Sequence, residues 1–122
     1  MASRIAARNV RLKCAYEVAS ATDGTRVPID RLWPRGVAKA DAAVDLWLKD
    51  LAPSTALRKR FGHDPARWPQ FRERYAEEVG HHPELFDRLR AVAGAGGVTL
   101  IHSAHDELHN DAVVLRNLLL GR

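Results

Sequence analysis

Apolar and polar positions change their period several times along the chain, and each change predicts an element. From Val10 to Val18 (VRLKCAYEV) apolar residues alternate with polar ones, the period-two pattern of a first strand. Asp23-Gly24 signals a turn. Arg26–Arg31 (RVPIDR) reads as a second short strand, in which Pro28, lacking an N–H, belongs at a sheet edge or a strand start. Pro34 and Gly36 then interrupt LWPRG.

The period shifts to 3.6 after that. Asp41–Leu51 (DAAVDLWLKDL) puts Val44, Leu48 and Leu51 on one helical face with Trp47 beside them and Asp41 near the N-terminus. Ala52-Pro53-Ser54 stops that helix, and Ser54 caps a short one ending at Phe61-Gly62. Asp64-Pro65 opens the next, which runs to about Val79 with Trp68, Phe71 and Tyr75 as its apolar stripe and Gly80 as its stop. Pro83–Ala93 is a further helix. The GAGG loop (Gly94–Gly97) after it lacks the spacing of a dinucleotide fingerprint. Val98–Ile101 (VTLI) is a continuous apolar run, as in a strand buried on both faces. A last helix covers about Glu107 to Leu120.

Strands separated by helices imply an α/β fold: a small, mainly parallel sheet flanked by helices, in a single compact domain over residues 1–122 with about 1–9 as a loose N-terminal segment. Composition agrees, since 46% hydrophobic and 28% charged residues over 122 positions describe one ordinary globular domain. Cys14 is the one cysteine and has no internal partner. No apolar run reaches membrane length, and MASRIAARNV has no apolar stretch of a secretion signal. The expected address is therefore the cytoplasm, with no membrane partner. The formal charge is +4, and basic residues are interleaved with acidic ones, as in RERYAEE. A solvated mixed surface comes first, and nucleic acid is a weaker alternative partner.

In such sheets ligands sit beyond the carboxyl ends of the strands. Two segments leave those ends. The first, IDRLWPRG, offers Asp30, the guanidiniums of Arg31 and Arg35 for carboxylate or phosphate, and Trp33 for stacking. The second, HSAHDELHN, opens the last helix, where free N–H groups favour an anion. His109 in the first turn could carry a proton, Asp106 could cap, and Asn110 follows. His105 and His109 are four apart, with His102 upstream, so the same segment offers a metal or haem site. No HExxH and no paired cysteines accompany them. Ser103 near His105 and Asp106 is not by itself a triad, and Cys14, early in a strand, reads as an inert buried thiol.

DGTRVPIDRLWPRG, DLWLKDLAPSTALRKRFGHDPARW and TLIHSAHDELHNDAVVL closely resemble the bacterial family called domain of unknown function 488, in its YeaO-like branch, over about Arg11 to Leu119. The resemblance implies a compact α/β cytoplasmic domain and no established reaction. It places the family's acid and arginine at Asp30 and Arg31, Pro-Arg-Gly at Pro34–Gly36, and acid, histidine and asparagine at Asp106, His109 and Asn110. Many relatives carry tyrosine at the position of His102 and a basic residue at that of His105, which weakens a family-wide metal role and leaves room for one special to this branch.

The leading expectation is a binding domain, with catalysis left open, for a small anionic, nucleotide-like or phosphorylated ligand. Arg31, Trp33, Arg35, Asp106 and Asn110 would hold it, and His109 and Asp30 would manage any proton. The alternatives are a metal- or haem-binding protein using His102, His105 and His109, and a nucleic-acid-binding module.

Overall fold

A computed structural model describes residues 5–38 and 43–122. Among these residues three strands, β1 (Val10–Cys14), β2 (Thr25–Pro28) and β3 (Val98–His102), form one sheet in the order β1-β3-β2. Both pairings are parallel, with Val10 and Thr25 each opposite Val98. Among the described residues four α-helices follow β2: α1 (Thr55–Phe61), α2 (Trp68–Gly80), α3 (Pro83–Gly96) and, after β3, α4 (Asp111–Leu119). The expected α/β fold with a small parallel sheet is the observed one.

β3 lies in the middle, and all five of its residues are buried. One face of the sheet carries Val10, Val27, Val98 and Leu100 into a core shared with Tyr75, Leu89 and Leu115. α4 packs on β1 and β3, α2 packs on α4, and α1 and α3 flank α2. Leu100 and Leu115 are fully removed from water, and each contributes about 1.5–3 kcal/mol. On the other face Thr99 donates its hydroxyl to the Asp23 carbonyl, and the buried Asp23 carboxylate meets Lys13 and Arg26. Burial alone would raise this carboxyl. The Ser20 N–H together with Lys13 and Arg26 holds it below the usual carboxylate range.

The connection from β1 to β2 contains only a 3₁₀ turn at Ala21–Asp23, capped by Ser20. It ends at Gly24, whose φ is +67° and whose Cβ would stand 2.8 Å from the Gly97 carbonyl oxygen. Only glycine allows that approach.

Several expected boundaries are corrected. β1 stops at Cys14, because Glu17 turns the chain: its N–H donates to the Cys14 carbonyl and its carboxylate accepts from the Cys14 N–H. β2 ends at Pro28, on an edge strand. The expected helix at Asp41–Leu51 is not formed among the described residues. Its Asp41 start lies outside them, and only a 3₁₀ turn at Lys49–Leu51 appears. The Asp45 carboxylate instead accepts from the Arg26 N–H at 2.9 Å, and the N–H groups of Asp45 and Leu46 donate to the Arg26 carbonyl. This segment closes the free edge of β2, and that pairing outweighs its helical periodicity. Asp64-Pro65 opens a 3₁₀ turn (Pro65–Arg67) that feeds α2, and α2 continues through Gly80. α3 absorbs Gly94 to Gly96, so the glycine loop shrinks to Gly97. Of the N-terminal residues expected to be loose, 1–4 lie outside the described residues, Ile5 is buried and Ala7–Asn9 forms a 3₁₀ turn. No helix among the described residues is long and apolar enough to cross a membrane.

Candidate functional site

Beyond the carboxyl ends of β2 and β3 lies a cavity of about 360 Å³. The strand ends and the start of α4 contribute Asp30, Ser103, Ala104, Asn110 and Asp111. α1 contributes Thr55, Arg58, Lys59 and Phe61, and α2 contributes Phe71, with Leu32 and Pro53 completing an apolar wall. Arg58 and Lys59 are exposed, whereas Asp111 and Asn110 are buried. The cavity thus has a basic mouth, apolar sides and an acidic floor.

The floor is held by hydrogen bonds. Ser103 donates its N–H and its hydroxyl to one oxygen of Asp30, at 3.1 and 2.7 Å. The Trp47 indole N–H fixes the Asp30 carbonyl at 2.9 Å. Asp111, at the first position of α4, accepts from the Ala112 N–H at 3.0 Å and is hydrogen-bonded to Asp30. Burial, then the neighbouring Asp30 charge, pushes the Asp111 carboxyl well above the usual carboxylate range, while the Arg58 guanidinium pulls it back. Two carboxyl groups this close cannot both ionise cheaply, which favours the protonated form of Asp111. Asn110 is the N-cap of α4, accepting from the Val113 N–H at 3.1 Å.

The other residues singled out from sequence lie elsewhere. Arg31 forms an ion pair with Asp50 at 3.6 Å. Arg35 is exposed and accepts from the Tyr16 hydroxyl through its carbonyl. Trp33 donates to the Val37 carbonyl at 2.7 Å and meets Trp47 edge-on, a packing role. None of the three lines the cavity.

α4 begins at Asp111 and not near Glu107, so His109 precedes the helix. Asp106 closes a turn in front of it, accepting from the Leu108 and His109 N–H groups and, at 2.9 Å, pairing with His109 Nδ1. These partners, the Leu108 N–H first, hold the Asp106 carboxyl below its usual range. The His109 ring stands edge-on to Trp68 at 5.3 Å.

The metal or haem reading is corrected for the same reason. Without a helix under them, His105 and His109 do not share a face. His102 and His105 border a separate cleft beside Cys14, whereas His109 is engaged with Asp106 and Trp68. Among the described residues no group of histidine, cysteine or acidic side chains could hold a metal ion. His102 is buried, and that burial lowers its pKa below the usual histidine value.

Sequence reasoning missed Asp111, Arg58 and Lys59. LRKRF reads as a solvated charge run. Asp111 did carry a signal: it lies four and eight residues before Leu115 and Leu119, on the buried face of the last helix.

The family model described as the inactive DUF488-N3 subclade matches residues 9–122. The chain belongs to the DUF488-N3i family, in its YeaO-like branch. It is 40% identical over 111 residues to the uncharacterised protein YeaO of Escherichia coli (strain K12), covering 91% of this chain and 96% of that one. It is also 40% identical over 113 residues to the uncharacterised protein Rv3073c of Mycobacterium tuberculosis (strain ATCC 25618 / H37Rv), covering 93% and 95%. No solved structure matches the chain significantly.

Proposed function

We propose that this DUF488-N3i domain binds a small organic anion, carboxylated or phosphorylated, in the cavity beyond β2 and β3. The observation that carries the reading is the pairing of exposed Arg58 and Lys59 with a concave, half-apolar interior. Guanidinium and ammonium donors recognise carboxylate and phosphate by charge-assisted hydrogen bonds. Walls of Phe61, Phe71 and Pro53 exclude water from the remainder of a ligand. The Thr55 hydroxyl adds an orienting group. The matching family's description as inactive supports binding without turnover.

Calorimetric titration with inorganic phosphate and with phenylpropionate tests this. Arg58→Gln/Lys59→Gln should weaken whichever anion binds by at least about tenfold, the loss of one charge-assisted contact. Both side chains are exposed, so the thermal midpoint should hardly move. Equal affinity in the double variant contradicts the reading.

A further inference from the structure

We infer that the ligand is a zwitterion of amino-acid size, with its anionic group at Arg58 and Lys59 and a primary ammonium against Asp30 and Asp111. The inference rests on the anion-binding reading above and adds the second charge.

A simple anion explains the mouth of the cavity but not its floor. There, two carboxyl groups are in hydrogen-bond contact, and one of them, Asp111, is only 8% exposed. An isolated buried acid pair is costly, and this one is made tolerable by one proton. An ammonium supplies the same unit of positive charge together with three donors. Asp30 already receives two donors from Ser103 on one oxygen. A ligand ammonium would serve the remaining acceptor positions of the pair, which a single proton cannot fill. The exchange balances: R–NH₃⁺ enters, the Asp111 proton leaves to solvent, and the charge of the floor is unchanged. Phe61, Phe71, Leu32 and Pro53 line the same cavity, so the connecting carbon skeleton meets apolar walls.

Charged and titratable groups around the pair are Arg58 and Lys59 from α1, His63 just after it, Tyr75 from α2 and His102 from β3. Burial pushes the Tyr75 phenol up and the His102 imidazole down, so near about pH 7.5 both are neutral. A proton released from the carboxyl pair is told from one released elsewhere in the cavity by its loss in Asp111→Asn.

Four probes on one carbon skeleton separate the possibilities: L-phenylalanine (both charges), phenylpropionate (anion only), phenethylamine (cation only) and phenyllactate (anion with a neutral hydroxyl donor). Each is titrated calorimetrically into the full chain in two buffers of different ionisation enthalpy. Phenylalanine should bind at least about tenfold tighter than each of the others, the difference between charged and neutral hydrogen bonds, and should release one proton. Asp111→Asn keeps a donor toward Asp30 but has no proton to exchange. In that variant the preference for phenylalanine over phenylpropionate should fall at least about tenfold, and proton release should vanish. If phenylpropionate or phenyllactate binds as tightly as phenylalanine, the zwitterion inference is overturned while anion binding stands. If phenethylamine matches phenylalanine, both are overturned; if none of the four binds, the zwitterion inference is overturned, and anion binding falls with it when inorganic phosphate does not bind either.

Discussion

Ser103 reaches Asp30 with two donors at once, its N–H at 3.1 Å and its hydroxyl at 2.7 Å, across 73 residues of sequence. The contact ties the loop after β2 to the loop after β3 and sets the floor of the cavity. Ser103→Ala removes the shorter bond and leaves a half-buried carboxylate oxygen short of a donor. Urea unfolding should show a loss of about 1–2 kcal/mol. A loss under about 0.5 kcal/mol, the scale of an ordinary surface change, would mean that water replaces the hydroxyl at no cost.

Asp111 should make the fold less stable as pH rises. Its pKa in the folded chain is raised well above the ordinary aspartate value of 3.8. The folded state therefore holds a proton that the unfolded state has released. Stability from this group is fully present below about pH 3.8 and is lost as pH climbs through the folded value. Asp111→Asn, which cannot ionise, should be spared that loss. Its stability relative to wild type should increase as pH is raised from about 4 to 8 in chemical denaturation. A difference that stays flat over this range would show that the carboxyl is not held protonated.

His109 should couple energetically to Trp68 and not to the anion. The rings stand edge-on at 5.3 Å and the imidazole is also tied to Asp106. A double-mutant cycle of His109→Ala and Trp68→Ala should give a coupling of about 0.5–1.5 kcal/mol. Anion affinity should change less than about threefold in His109→Ala. A loss of binding as large as that of Arg58→Gln/Lys59→Gln would restore His109 to the site.

Local chemistry was legible in the sequence wherever it acts within a few residues. Ser54 caps α1, Gly62 ends it in the left-handed region, and Asp64-Pro65 starts the next turn, each as its side chain dictates. The apolar run VTLI is the central strand because both its faces are covered. What misled was chemistry acting at a distance. DAAVDLWLKDL has helical spacing, yet Asp45 and Leu46 are drawn into hydrogen bonds with Arg26. Asp106 and Asn110 both carry capping signals four residues apart. Asp106 makes a separate turn, and Asn110, in extended backbone, begins the helix.

The candidate site was half legible for the same reason. The rule that ligands gather at strand ends led to Asp30 and Asn110, both at the cavity. It could not lead to Arg58 and Lys59, which come from a helix packed over those ends, and their neighbourhood in sequence is plain surface charge. Arg31 and Arg35 were chosen for charge, but position in a loop does not fix direction. One faces Asp50 and the other lies exposed.

The central claim, that the cavity beyond β2 and β3 is where this domain takes a small anion, is tested most directly by backbone amide shifts during titration with phenylpropionate. The account predicts saturable shifts concentrated at Thr55, Lys59, Ser103, Ala104 and Asn110, all cavity-lining, with their loss in Arg58→Gln/Lys59→Gln. Shifts confined to Cys14, Glu17 and His105 along the separate cleft, or no saturable shifts at all, would contradict it.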